Sequence, residues 1–214
     1  TGTLTSVSEL QLLSGRNAAA IRNADGEWEV IQFATATLVS EGVYELSGLL
    51  RGQGGTEGAM RAPVAAGATF VLLDQGLARL DLSLAEIGLP LSWRYGPSNR
   101  DIGDASYATQ THAFTGLGLR PLSPVHAKAV RAGGDVGLSW IRRTRIGGDS
   151  WEAAEVPLGE ESERYEVDIL DGSGAVKRTL STTAPAATYT SAEQIADFGA
   201  TQTQLSVRIA QVSA

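Results

Sequence analysis

Asp149, Glu152, Glu155, Glu160, Glu161 and Glu163 crowd one stretch that begins just after Arg142, Arg143 and Arg145. Carboxylates this dense can do two kinds of chemistry. A pair flanking a glycosidic bond can hydrolyse it. A regularly spaced set can wrap Ca²⁺ in oxygen. Neither calcium-loop spacing nor an aromatic sugar platform accompanies these acids, so the stretch reads as a solvated loop. The arginines could grip a phosphate. Strand alternation, however, turns Arg143 and Arg145 outward, within reach of the acids. A surface Arg–Glu network is the plainer account, each pair worth roughly 0–1 kcal/mol. Trp151 lies in the same stretch and is the aromatic best placed to anchor a contact, with burial under its own loop as the alternative.

Other constellations are weaker. The chain has two histidines, His112 and His126, and no cysteine. Neither histidine has a second His or a Cys at ligand spacing, so a zinc site is not expected. Ser139, in Gly137-Leu138-Ser139-Trp140-Ile141, lacks the second glycine of a nucleophile elbow and falls mid-strand. Gly52-Gln53-Gly54-Gly55-Thr56-Glu57-Gly58 follows a strand, as a dinucleotide loop would. The helix that should come next is interrupted by Pro63, and no Lys is present for phosphate. Its glycines read instead as permission for positive φ at a sharp corner. No catalytic, cofactor-binding or metal-binding residue is assigned, and no cofactor or enzymatic activity is expected.

The elements around these residues are strands. Hydrophobic residues make up 43% of 214, charged residues 19%, and 25 are glycine, a balance suited to short strands and tight turns. The net charge of −7 repels nucleic-acid phosphate, and no run reaches the ~20 apolar residues of a membrane span. Thr1 is not Met, and no basic leader opens the chain, which reads as a piece of a longer protein.

Leu10, Leu12 and Leu13 suggest a weak strand. Ala18–Ile21 and Trp28–Val39 are strands joined through Asn23-Ala24-Asp25-Gly26, a hairpin signal. Val43–Leu50 follows and runs into the glycine corner. Thr69–Leu73 is a continuous apolar run, typical of a strand buried on both faces. Strands are predicted around Leu77–Leu82, over Leu89–Tyr95 and over His112–Leu119, with residues 100–111 irregular and Ser83 capping a turn of helix. Arg120-Pro121-Leu122-Ser123-Pro124 marks a boundary between domains 1–120 and 121–214.

Beyond that boundary, strands are predicted at Val125–Arg131, Val136–Ile141 with Trp140 inward, Tyr165–Leu170, Val176–Leu180, around Thr188–Thr190 and at Leu205–Ile209. A short helix, Ser191–Phe198, is capped by Ser191 with Gln194 at the capping-box distance. The fold class is all-β: a barrel or sandwich-like domain followed by a small sandwich.

Pro124, Leu138-Ser139-Trp140, Tyr165-Glu166-Val167 and Leu205-Ser206-Val207-Arg208-Ile209 together resemble a fibronectin type III domain. That family closes with a seventh strand where six are legible here. An open edge invites pairing.

Five stretches carry a wider resemblance. They are Tyr44–Glu57 (with Leu46-Ser47-Gly48-Leu49-Leu50-Arg51-Gly52 at its centre), Leu119–His126, Ser139-Trp140-Ile141-Arg142-Arg143-Thr144-Arg145, Val156-Pro157-Leu158-Gly159-Glu160 and Ala196-Asp197-Phe198-Gly199. Together they resemble the C-terminal part of the large baseplate hub proteins of gene transfer agents and siphophage-like tails. The glycosidase-like barrel of that family is not visible here, so no catalytic residue carries over. The resemblance implies a structural module of the virion, at the tip of a phage-like tail assembled in the bacterial cytoplasm. It implies a homotrimer among other tail and baseplate proteins, serving attachment to the host cell and DNA delivery. A carbohydrate-binding or accessory domain of a secreted glycosidase, meeting a cell-surface glycan, is the alternative. Sequence-specific nucleic-acid binding is not expected of either.

Overall fold

Asn23 starts the first hairpin by folding its side chain back on the turn. Its Oδ1 accepts from the backbone N–H of Asp25 (3.0 Å) and Glu27 (2.9 Å), an Asx-type turn that fixes where the chain reverses. The computed structural model describes residues 3–148, 150, 152 and 155–213. Strand accounts for 40% and helix for 11%, in several antiparallel sheets, so the fold is all-β. The chain divides into two units, Thr1–Leu119 and Arg120–Ala214.

In the first unit, β1 (Ala18–Arg22), β2 (Trp28–Ser40), β3 (Val43–Gln53) and β4 (Phe70–Leu72) form one antiparallel sheet in the order β3-β2-β1-β4. β3 and β4 remain open edges. Ala19, Ile31 and Phe33 are its buried centre, with Leu4, Ile21, Ala36, Leu46 and Leu72 packed against them. A separate hairpin pairs β5 (Pro90–Tyr95) with β6 (Ala108–Ala113).

Four local expectations need correction. Leu10, Leu12 and Leu13 lie in a helix, α1 (Glu9–Leu13), because Ser8 and Gln11 form a reciprocal capping box. The run Thr69–Leu73 is an edge strand, with Phe70 37% exposed, because among the described residues no strand pairs beyond β4. No strand forms at Leu77–Leu82. The strand placed at His112–Leu119 lies earlier, at Ala108–Ala113, where β-branched Thr109 and Thr111 pair with Arg94 and Ser92. Leu117–Leu119 is a 3₁₀ turn. The turn after Ser83 is present over Leu84–Glu86, with Ser83 and Glu86 boxed together.

In the second unit, β7 (Val125–Ala132), β8 (Asp135–Ile141) and β11 (Ala186–Tyr189) form a sheet ordered β11-β8-β7. β9 (Tyr165–Leu170), β10 (Val176–Thr182) and β12 (Ser206–Gln211) form a second, ordered β10-β9-β12. Period-two burial drives both. Val136, Leu138 and Trp140 of β8 meet Tyr165, Val167 and Ile169 of β9, with Tyr189 beside them. Trp140 and Tyr165 cross edge-on, centroids 5.2 Å apart.

Helix α2 (Ser191–Phe198) is capped one residue earlier than expected, by Thr190 boxed with Glu193. Gln194 is drawn inward instead. It is fully buried, donates to the carbonyls of Gly134 (3.0 Å) and Tyr189 (3.1 Å), and accepts from Gln202 N–H (3.1 Å). No helix among the described residues is long and apolar enough to cross a membrane.

Candidate functional site

The glycine corner is held by a charge from the neighbouring strand. Glu29 of β2 is 2% exposed and accepts three hydrogen bonds. Arg51 gives two in fork geometry, Nε at 2.5 Å and Nη2 at 2.6 Å, and Gly52 N–H gives the third at 3.0 Å. The Arg51 guanidinium holds the Glu29 carboxyl below its usual range. Gly52 N–H works the same way, against the opposing effect of burial.

Gly52 sits at φ +59°, and a Cβ there would meet Met60 Sδ at 2.8 Å and Glu57 Cα at 3.0 Å. Only glycine fits that close approach. Thr56 Oγ1 accepts from Val30 N–H (2.9 Å) and donates to Gln53 O (2.7 Å), so the hydroxyl replaces ladder bonds where β2 and β3 shift register. Arg61 then ties the corner to the first hairpin through Asp25 (2.5 Å) and Glu27 (3.2 Å), while Asn23 Nδ2 donates to Ala59 O (3.0 Å). The side chains of Glu29, Arg51, Thr56 and Arg61 are thus bonded within the corner and the hairpin beside it. Its residues make a brace.

The arginine and acid stretches meet in the second unit, as expected for Arg145, and Arg142 joins them. Regular strand ends at Ile141, so the three arginines leave in different directions. Arg142, with its side chain 12% exposed, donates to the carbonyls of Val156 and Pro157 (both 2.9 Å) and lies 3.6 Å from Glu163 and 3.8 Å from Glu155. Arg143 Nε donates to Ser123 O at 2.7 Å. Arg145 meets Glu160 at 3.2 Å.

The solvated-loop reading fails at Glu160, whose side chain is 4% exposed and also accepts from Ser213 Oγ at 2.6 Å. Glu163 accepts from Tyr165 OH at 2.7 Å, and burial together with that carboxylate pushes the phenol upward. Trp140, Arg142, Glu155, Glu163 and Pro185 line an open cleft of about 330 Å³. Its ionic groups face one another. Asp149 and Trp151 lie outside the described residues.

The two histidines fall in different units. His112 is exposed on β6 and stacks edge-on against Phe114, centroids 4.7 Å apart. His126, at φ +51°, sits where β7 and β8 slip register. Among the described residues no group of three or more His, Asp or Glu is arranged to hold a metal ion.

A cluster the sequence did not disclose joins β10, β11 and α2. Arg178 clasps Asp197 (2.7 and 2.9 Å), and Tyr189 OH donates to the same carboxylate at 2.7 Å. Arg178 first, then Tyr189, holds the Asp197 carboxyl below its usual range. Burial, followed by that carboxylate, pushes the Tyr189 phenol upward. The three residues come from three different elements and carry no shared motif, so the sequence signals only the helix that brings Asp197 there, through the cap expected at Ser191.

No curated protein matches the chain. Residues 1–71 are similar to the family described as "Rcc01698-like, C-terminal", a match that covers α1, β1 to β3, the glycine corner and the start of β4.

Proposed function

We propose that this chain is a structural module of a phage-like tail baseplate or tail-tip hub, with no bond made or broken on it. The observation that carries the reading is the match of residues 1–71 to the Rcc01698-like C-terminal family. The glycine corner lies inside that match, and its Glu29, Arg51, Gly52 and Thr56 brace the backbone. On this reading the module works in the virion as part of a homotrimer, among other tail proteins, in attachment and DNA delivery. Its net charge of −7 suits a surface near passing DNA, because like charges repel within a Debye length of about 8–10 Å.

Immunogold electron microscopy of particles from the source strain, with antibody raised against this chain, tests the reading. Gold is expected at the tail tip. Particles that carry tails but never label there would overturn it. A glycan array probed with the whole chain and with Trp151→Ala covers the carbohydrate-binding alternative, which requires binding that the substitution removes.

A further inference from the structure

β12 is an edge, and its hydrogen-bonding groups can be assigned. Val212 N–H donates to Arg164 O at 2.9 Å, and the register runs Ser206↔Leu170 to Gln211↔Tyr165. Antiparallel pairs alternate between hydrogen-bonded and not. The backbone groups of Ser206, Arg208 and Ala210 therefore face β9, and those of Val207, Ile209 and Gln211 point out of the sheet.

The core beside this edge is only partly covered. Val207 and Ile209 are half-buried, whereas Val167 and Ile169 of β9 are fully buried. β10 and β11 line one groove together, which puts β7 and the outer edge of β12 on the other flank of the sandwich. On β7, Ala129 and Arg131 stand opposite Leu138 and Val136, on the core side of their sheet, yet both are exposed, and Arg131 spans only the end of this flank, donating to the carbonyls of Gly134 and of Gln202 ahead of β12. One extended segment beside β12 would fill this slot.

The first unit holds a segment of that kind. Ala78-Arg79-Leu80-Asp81-Leu82 alternates apolar and charged residues with the period of a strand, and the sequence predicts one there. None forms. Its backbone makes no hydrogen bond to any described residue, and Leu80 is 51% exposed.

The geometry points to strand donation between copies of this chain: residues 78–82 of one copy pair antiparallel with Val207–Gln211 of another. Setting Leu80 opposite Ile209 places Leu82 opposite Val207 and Ala78 opposite Gln211, so the outward backbone groups pair and the apolar side chains close the core. The same register sets Asp81 opposite Arg208, which is 63% exposed and already beside Asp168. Donor and acceptor are different surfaces, so the contact is heterologous and closes into a ring or extends as a filament. The inference stands apart from the tail reading, and either can fail alone.

Light scattering on the whole chain over a concentration series is expected to give multiples of 22.4 kDa. Leu80→Asp with Leu82→Asp should leave a folded monomer by circular dichroism. Asp81→Arg should weaken association about fivefold, by setting like charges opposite each other at Arg208. The chain has no native cysteine, so Asp81→Cys chains mixed with Arg208→Cys chains should form a disulfide-linked heterodimer under oxidising conditions. A monomer at every concentration overturns the proposal. So does a multimer that survives the leucine substitutions, or a mixture that yields no heterodimer.

Discussion

Glu29 and Gly52 stabilise the same corner by unrelated means, so their substitutions should fail differently. Glu29→Gln keeps the shape but removes the charge that Arg51 and Gly52 N–H address. The cost should be about 2 kcal/mol at pH 7, read from urea denaturation. Its pH dependence follows from the lowered carboxyl. The folded-state value lies below the ordinary 4.5, so the stabilisation is fully present above 4.5 and disappears as pH falls through the folded value. Wild type and Glu29→Gln should therefore converge in acid and diverge at neutral pH. A gap of constant size across the titration would show that the charge is not what matters. Gly52→Ala should cost about 2 kcal/mol at every pH, because a Cβ at φ +59° is strained and meets Met60 and Glu57.

Helix α2 gives the clearest test at the scale of an element. Thr190 caps it, while Ser191, one residue on, lies inside the first turn. Thr190→Ala should cost about 1 kcal/mol, and Ser191→Ala should stay within about 0.5 kcal/mol of wild type. Equal effects at the two positions would place the cap elsewhere. The sequence reading places the box at Ser191 with Gln194, and the structure forms it at Thr190 with Glu193. Burial of Gln194 against Gly134, Tyr189 and Gln202 takes its side chain out of any capping role, and Gly134 comes from a strand turn 60 residues away. The same limit explains Leu77–Leu82. Its leucines mix two periods and read as a strand, but a local pattern only states a willingness to pair, and no neighbouring strand edge is hydrogen-bonded to it.

Across the whole molecule the two units differ in how much core they own. Residues 120–214 bury Val136, Leu138, Trp140, Tyr165, Val167, Ile169 and Tyr189 together, whereas the first sheet centres on Ala19, Ile31 and Phe33. Apolar burial scales with area, so the second unit should be the more stable when each is expressed alone. Chemical denaturation of 1–119 and 120–214 followed by circular dichroism checks the order. The reverse order would mean that the polar brace at the glycine corner outweighs the larger core. Ile169→Ala should destabilise 120–214 by about 3 kcal/mol, since the side chain is fully buried.

From the residues alone one could read the all-β class, the hairpin at Asn23–Gly26, the inward Trp140 and most strands of the second unit, because those signals are local: a turn residue, an alternation, a glycine. The tertiary structure alone decided that Thr69–Leu73 is an edge, that Glu160 is enclosed by Arg145 and Ser213, that Arg142 holds the carbonyls of Val156 and Pro157, and that Asp197 joins Arg178 and Tyr189. Those are pairings between residues separated along the chain. A side chain's type states what it can bond to, and only the packing of the sheets states which partner arrives.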